Sequence, residues 1–356
     1  MLKIQGKAMS LGSVMIGVSG LSLTVQERDW LLNPMVAGVI LFSRNFESPE
    51  QLKALCDEIH VLRHPKLLIA VDHEGGRVQR FRQGFTRLPP MRVLGQLYQN
   101  SAEKALKKAH ELGWLLATEL LACGVDFSFT PVVDLDYGES HVIGDRAFSS
   151  DPVITGKLAL QVSLGMREAG MASVAKHFPG HGFVKADTHQ EIAIDERHWP
   201  QIQQQDLQPF LSLMSHGLEA VMPAHVRYPN VDDLPVGFSH YWLQKVLREE
   251  CHFDGAIISD DLGMHAAAVY GSVVERVNMA LNAGCDLVLV CNELDQIPEV
   301  LAQSIQRSCP ISHARLIRLH GRAQISYDRL HYEPLWQASA KNISQLSEQS
   351  LQSALI

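Results

Sequence analysis

Cysteine is scarce in this chain, and its six occurrences lie far apart in the sequence. No two of them form a CxxC pair, so the spacing that is typical of zinc sites and dithiol redox centres is missing. A chain of 356 residues buries about three quarters of its unfolded surface and needs no covalent cross-links for stability. We therefore expect reduced thiols and a protein that stays in the cytoplasm.

Long apolar runs and clusters of basic residues are also lacking. No stretch reaches the ~18 consecutive apolar residues of a membrane-spanning helix. The first 20 residues lack the continuous apolar centre of a signal peptide. The 39 Asp and Glu outnumber the 31 Lys and Arg, which gives a formal net charge of −8. We expect neither nucleic acid nor a membrane as a partner, and we expect the protein to be a monomer.

Short apolar runs rich in Val and Ile alternate with longer stretches of helical periodicity. Runs that are apolar throughout predict strands buried on both faces, as in a parallel sheet. The eight runs are Ser13–Val18, Val36–Phe42, Leu67–Val71, Phe127–Val133, Ser173–Lys176, Ala220–Ala224, Ala256–Ser259 and Asp286–Cys291. Amphipathic segments between them predict helices, and several begin with a capping residue such as Thr24, Ser48 or Asp151.

Eight strands alternating with helices match the count of a (β/α)8 TIM-type barrel. A doubly wound open sheet is the alternative, but it usually has a Gly-rich phosphate loop after its first strand. The first run here ends in IGVSG, from Ile16 to Gly20, which is neither a GxGxxG pattern nor a P-loop. We therefore predict an α/β fold with a single barrel over residues 1–310 and a C-terminal extension over residues 311–356. In that extension, Ile311–Leu330 predicts one polar closing helix, and the rest predicts a helical or partly disordered tail.

Charged side chains collect after the predicted strands, where a barrel of this class has its active site. Charges beside buried strands are costly unless they are paired or used, so their recurrence predicts a polar pocket. The candidates for that pocket are Asp72, Arg80, Arg146, Lys176, His177, Asp187, His189 and Asp260. Lys176 and Arg146 have a second explanation, as structural ion-pair partners of Asp72 or Asp134.

Metal-assisted hydrolysis and Schiff-base chemistry are two reactions that such a pocket could support. A metal site is disfavoured because Pro179 and Gly180 separate His177 from His181, so that no helix carries the pair. A Schiff base at Lys176 would suit an aldolase that binds phosphate. The loop after the eighth run is acidic, however, and lacks the Gly-rich turn of a phosphate site.

Glycoside hydrolysis is the third possibility, and it needs a proton donor and a carboxylate on opposite sides of the anomeric carbon. Asp260 at a strand end suits the carboxylate, and His189 or a nearby carboxylate suits the donor. An imidazole titrates near ~6.5, so it can donate a proton and later remove one from water at neutral pH. Four charged residues offer hydrogen-bond partners for sugar hydroxyls: Arg80, Arg146, Lys176 and Asp72.

The motifs at these positions resemble those of family 3 glycoside hydrolases that remove N-acetylglucosamine. The run KHFPGHG from Lys176 to Gly182, followed by Asp187-Thr188-His189, is similar to the signature loop of that family. The segment from Val246-Leu247-Arg248 through Asp260, which ends in GAIISD, is similar to its nucleophile region. The segments DHEGGRVQR, from Asp72 to Arg80, and Gly144-Asp145-Arg146 complete the pattern.

The resemblance implies a retaining mechanism, in which Asp260 attacks the anomeric carbon and forms a covalent glycosyl-enzyme. It also implies that His189 acts as the acid and then as the base, assisted by Asp187. The implied sugar contacts are Asp72, Arg80, Arg146, Lys176 and His177. The implied substrate is the non-reducing β-1,4-linked N-acetylglucosamine of 1,6-anhydro-muropeptides, as in peptidoglycan recycling, and no metal or organic cofactor is implied.

The likeness extends from about Gly12 to Asn292 and departs from the family pattern at two positions. His73 stands where Gln is commoner, which leaves the neighbouring Asp untouched. Ala256 is smaller than the usual apolar residue at its position in the nucleophile region. Two other functions remain open at this point: a non-catalytic barrel that binds sugars, and a phosphorylase that uses phosphate in place of water.

Overall fold

Eight parallel strands form the central sheet of the molecule. The computed structural model describes residues 11–185, 193–305 and 309–353. The strands are β1 (Val14–Gly17), β2 (Val36–Leu41), β3 (Leu68–Val71), β4 (Phe127–Ser128), β5 (Val174–Phe178), β6 (Ala220–Pro223), β7 (Ala256–Asp261) and β8 (Leu287–Val290). Their order is β4-β3-β2-β1-β8-β7-β6-β5, and every neighbouring pair is parallel. The predicted (β/α)8 barrel is confirmed.

The two ends of this sheet meet through an irregular segment that follows β4. The amides of Val174 and Lys176 donate to the carbonyls of Thr130 and Pro131, at 2.8 and 3.2 Å. Val133 N then donates to Lys176 O at 2.8 Å. Because proline has no amide hydrogen, a regular ladder of hydrogen bonds cannot run through this segment. The barrel is therefore closed between β4 and β5 by a few irregular bonds.

Helices follow the strands and pack around them. They are α1 (Val25–Leu31), α2 (Pro49–His60), α3 (Arg92–Asn100), α4 (Ala102–Ala122), α5 (Pro152–Ala169), α6 (Trp199–Gln204), α7 (Leu207–Met214), α8 (Tyr241–Glu250), α9 (His265–Ala268), α10 (Val273–Ala283), α11 (Ile297–Gln303), α12 (Pro310–Ile317), α13 (Tyr327–Leu330) and α14 (Pro334–Ser353). The predicted capping residues Thr24, Ser48 and Asp151 each accept a hydrogen bond from the first turn of a helix. Within the described ranges, no helix is both long enough and apolar enough to span a bilayer.

The helices α4 and α5 approach each other closely through two glycines. A Cβ atom at Gly113 would lie 2.1 Å from the carbonyl oxygen of Val162, and one at Gly165 would lie 2.1 Å from the carbonyl oxygen of His110. Both distances are far below any van der Waals contact, so only glycine allows the two backbones to touch. The α4 helix also packs against β4.

The prediction of a single helix over Ile311–Leu330 is wrong. The structure has two shorter helices there, α12 and α13, and a break between them. The break contains Gly321, whose amide donates to Asp126 Oδ1 at 3.0 Å. The other oxygen of Asp126 accepts from Ile69 N at 2.8 Å, at the start of β3. The carboxylate of Asp126, at the amino ends of the barrel strands, therefore binds the backbone at Gly321 and interrupts the predicted helix.

Candidate active site

A cavity of about 850 Å³ opens at the carboxyl ends of the barrel strands. Its walls come from segments that follow several strands, including β3, β5, β7 and β8. Six of the predicted site residues line it: Asp72, Arg80, Arg146, Lys176, His177 and Asp260. The structure thus brings together side chains from four separate segments of the chain.

The two other predicted site residues, Asp187 and His189, lie outside the described residues. The chain is described as far as Lys185, which lines the cavity and is largely exposed. Ala193, the next described residue, pairs with Val226 beyond β6. The roles of Asp187 and His189 therefore stay predictions.

A network of alternating charges forms one wall of the cavity. Arg146 donates from Nε and Nη2 to the two carboxylate oxygens of Glu74, both at 2.8 Å. Lys176 Nζ lies 2.7 Å from Glu74 Oε1 and 2.7 Å from Asp72 Oδ1. Arg80 Nη2 lies 3.6 Å from Asp72 Oδ2. Lys176 and Arg146 are thus ion-paired, and the same paired groups line the cavity.

Glu74 is the member of this network that sequence reasoning did not single out. Its side chain is only 3% exposed. Burial would raise the pKa of Glu74, but the charges of Arg146 and Lys176 outweigh it and hold that pKa well below its usual range. Burial would lower the pKa of Lys176, and the carboxylates of Asp72 and Glu74 raise it instead. The sequence signal that could have identified Glu74 is its position two residues after Asp72, because such residues lie on the same face of an extended chain.

Two buried polar atoms in the cavity wall have no hydrogen-bond partner among the described residues. They are Arg80 Nε and Glu293 Oε2. An unpaired buried polar atom costs about 1–3 kcal/mol, so polar groups of a ligand that pair with these two atoms would remove that cost. Glu293, in the segment after β8, was also absent from the predicted site.

His177 is held by the fully buried carboxylate of Asp134. His177 Nδ1 lies 2.7 Å from Asp134 Oδ2, and the amides of His177 and His181 donate to Asp134 Oδ1 at 3.2 and 2.7 Å. Burial would raise the pKa of Asp134, but its interactions with the His177 and His181 residues lower it. The peptide bonds Lys176–His177 and Phe178–Pro179 are cis. An ionised Asp134 fixes the His177 ring and leaves Nε2 to contact a ligand.

The strand β7 ends in two adjacent carboxyl groups whose pKa values shift in opposite directions. Burial would raise the pKa of Asp260, but the rings of His225 and His177 and the amide of Asp261, at 2.8 Å, lower it. For Asp261 burial prevails, and with the charges of Glu293 and Asp260 it raises the pKa to about 6. At neutral pH, Asp260 is therefore the stronger candidate for an ionised nucleophile.

The residues next to Asp260 support the end of β7. Asp261 Oδ1 accepts hydrogen bonds from the amides of Gly263 and Cys291, at 3.0 and 3.2 Å. His225 Nε2 lies 3.0 Å from the carbonyl oxygen of Asp261. Burial lowers the pKa of His225, and the Nε2 contact makes this ring a hydrogen-bond partner of the strand end.

The cavity combines a carboxylate that can attack with charged groups that can bind hydroxyls. Asp260 lines the same cavity as Lys176 and Arg146, and the carboxylates of Glu74 and Asp72 hold these two cations in place. Such an arrangement suits nucleophilic attack on a substrate with several hydroxyl groups. In the part of the chain that the structure describes, no group of three or more His, Cys, Asp or Glu side chains could hold a metal ion.

The sequence matches the glycosyl hydrolase family 3 N terminal domain over residues 4–319. The chain therefore belongs to that family, and it is a glycoside hydrolase.

Several relatives of known name match almost the whole chain. A beta-hexosaminidase of Hydrogenovibrio crunogenus is 61% identical over 97% of this chain and 96% of the relative. A beta-hexosaminidase of Methylobacillus flagellatus is 52% identical over 96% of this chain and 98% of the relative. The crystal structure of NagZ from Neisseria gonorrhoeae in complex with N-trifluoroacetyl-D-glucosamine has a TM-score of 0.91 at 43% identity, covering 96% of this chain and 99% of that one. These similarities support β-N-acetylglucosaminidase activity.

Proposed function

We propose that the protein is a retaining exo-β-N-acetylglucosaminidase of peptidoglycan recycling in the cytoplasm. Its proposed substrate is the β-1,4 bond of the non-reducing N-acetylglucosamine in 1,6-anhydro-muropeptides. The main support is the position of Asp260, whose lowered pKa keeps it ionised in the wall of a polar cavity. All six cysteines are free thiols, which supports a reducing compartment.

Hydrolysis proceeds in two steps through Asp260. In the first, Asp260 forms a bond to the anomeric carbon while the glycosidic bond breaks and His189 protonates the departing oxygen. In the second, His189 removes a proton from water, which attacks the same carbon and releases N-acetylglucosamine with its configuration retained. Asp187 assists by orienting the ring of His189 and stabilising its charged form. Because the pKa of Asp260 is already low, the first step needs no separate base.

The charged wall holds the sugar while these steps occur. Asp72 accepts hydrogen bonds from hydroxyls, Arg80, Arg146 and Lys176 donate to them, and His177 supplies its free ring nitrogen. Their mutual ion pairs fix these groups before the substrate arrives, so little reorganisation is needed during the reaction. A cavity of about 850 Å³ is large enough for a ligand of disaccharide size.

The Asp260→Ala variant tests the nucleophile. It should lower kcat for a chromogenic β-N-acetylglucosaminide by roughly 10⁴-fold, because the route through the covalent glycosyl-enzyme is lost. Asp57→Asn is a matched control, since this carboxylate is 58% exposed on α2. The far-UV circular dichroism of both variants should equal that of the wild type. A normal kcat in folded Asp260→Ala would eliminate Asp260 as the nucleophile.

The His189→Ala variant tests the proposed acid and base. Its loss of kcat/KM should be much smaller for a leaving group of low pKa, which needs no proton, than for the natural sugar. An equal loss on both substrates would contradict the role of His189. Running the wild-type reaction with and without inorganic phosphate separates hydrolysis from phosphorolysis, because a phosphorylase would form a sugar phosphate.

A further inference from the structure

A second groove, of about 740 Å³, lies beside the active-site cavity. One side is formed by the segment between β3 and α3 together with α3 itself, and the other by the end of α14. Its basic residues are Arg77, Arg82, Arg87 and Arg92. We name this feature the arginine groove. Asp145 is the one acidic residue in its described lining, so the groove is strongly basic on a chain of net charge −8.

The four arginines follow one another at intervals of five residues, a spacing that fits no single helix or strand. The sequence shows no basic cluster for this reason, because the four side chains come together only when the segment between β3 and α3 folds. The groove also has an apolar floor, which includes Leu88, Pro90, Val93 and Leu97. It can therefore bind a ligand that has both charged and aliphatic groups.

Two of the arginines are already paired, and two are not. Arg77 Nε lies 3.6 Å from Asp145 Oδ1, and Arg92 is bonded to the carboxylate of Asp136. Arg82 and Arg87 are exposed, and neither has a carboxylate partner among the described residues. Arg82 donates only to the carbonyl oxygen of Gln79, at 3.2 Å. The groove therefore presents two available guanidinium groups, which bind carboxylates through paired hydrogen bonds.

Arg77 connects the arginine groove to the active site, because it lines both cavities. Arg77 also donates to the carbonyl oxygen of His141 at 3.1 Å, and His141 lines the active-site cavity as well. An exo-acting enzyme holds the terminal sugar innermost, so the remainder of its substrate must leave past the rim. A chain that leaves beside Arg77 enters the arginine groove directly.

We propose that the arginine groove binds the carboxylates of the peptide carried by the leaving sugar of the muropeptide. This inference rests on the proposed function, since it requires a substrate that bears a peptide. Carboxylates of that peptide pair with Arg82 and Arg87, and its aliphatic side chains pack on Pro90 and Val93, which are partly exposed. The groove thus makes the enzyme prefer peptide-bearing substrates over bare disaccharides.

The test compares three substrates of increasing size. They are a chromogenic β-N-acetylglucosaminide, the disaccharide of N-acetylglucosamine and anhydro-N-acetylmuramic acid, and the same disaccharide with its peptide. In the wild type, kcat/KM should be higher for the disaccharide with its peptide than for the bare disaccharide, and 0.5 M salt should reduce that advantage by screening the charges. We define the peptide ratio as kcat/KM for the disaccharide with its peptide divided by kcat/KM for the bare disaccharide. In the double variant Arg82→Gln/Arg87→Gln, this ratio should fall by about 3- to 20-fold.

Two controls make the result specific. Arg87→Gln alone should lower the same ratio, and it leaves the contact of Arg82 with Gln79 intact. Arg318→Gln removes an exposed arginine after α12, away from both cavities, and should keep the wild-type ratio. An unchanged ratio in Arg82→Gln/Arg87→Gln, or an equal loss on all three substrates, would overturn the role of the groove. Failure of the wild type to cleave either disaccharide, with or without its peptide, would instead overturn the proposed function.

Discussion

Replacing Glu74 by Gln tests the charge network that supports the active site. The substitution keeps the shape of the side chain and removes one negative charge. In the wild type, Glu74 accepts two hydrogen bonds from Arg146 and lies 2.7 Å from Lys176 Nζ. A Gln at this position retains one carbonyl oxygen and directs an NH2 group at one of the two cations. Arg146 and Lys176 then share the remaining carboxylate of Asp72.

The expected loss of stability follows from the burial of these groups. The side chains of Glu74 and Lys176 are each 3% exposed, and that of Arg146 is 11% exposed, so water screens their charges little. Removing one partner of such a pair costs about 3–5 kcal/mol, because the other charge stays buried. With an unfolding entropy near 2.1 cal/mol/K per residue, a chain of 356 residues should lose about 4–7 °C in Tm.

Urea unfolding at pH 7 and at pH 4 measures this effect and its sign. The pKa of Glu74 is lower in the folded protein than in the unfolded chain, so its stabilisation is present above about pH 4.3 and is lost as the pH falls. The difference between wild type and Glu74→Gln should therefore shrink at the lower pH. Glu275→Gln is the control, because Glu275 caps α10 at an exposed position and should cost under about 1 kcal/mol. A Glu74→Gln variant within about 1 kcal/mol of the wild type at pH 7 would refute the reasoning.

Two further predictions concern stability away from the cavity. Burial raises the pKa of Glu119 to about 7, although Thr86 and Trp336 donate hydrogen bonds to it. The unfolded chain releases this proton near pH 4.3, so Glu119 should lower the free energy of unfolding by about 3 kcal/mol as the pH rises to 7 and above. Urea unfolding between pH 5 and pH 8 should show that the free energy of unfolding of Glu119→Gln does not fall in this way. If the free energies of unfolding of the variant and the wild type differed by the same amount at every pH, the prediction would be wrong. Gly165→Ala should lower the free energy of unfolding by about 3 kcal/mol, because the new methyl group would lie 2.1 Å from a backbone carbonyl oxygen. Gly156→Ala should lower it by under about 1 kcal/mol, because there the methyl group would lie 3.3 Å from a side chain. Equal Tm values for the two alanine variants would show that α4 and α5 can separate without loss.

The barrel could be predicted from the sequence because its strands are short, apolar throughout and regularly spaced. The residues at the strand ends followed from that prediction, and Asp72, Lys176 and Asp260 indeed line one cavity. Glu74 was missed because its importance depends on cations far along the chain, which no local pattern reveals. The break at Gly321 was missed for the same reason, since the carboxylate that captures its amide lies before β4.

The irregular closure between β4 and β5 ties the shape of the barrel to its chemistry. The chain passes from that closure directly into Asp134, whose two oxygens bind the ring of His177 and the amides of His177 and His181. An engineer who replaced Pro131 and its neighbours with a regular strand would shift Asp134 and release that imidazole. Redesign of this barrel for new substrates should therefore begin at the loops after β3 and β8. It should leave the irregular segment between β4 and β5 unchanged.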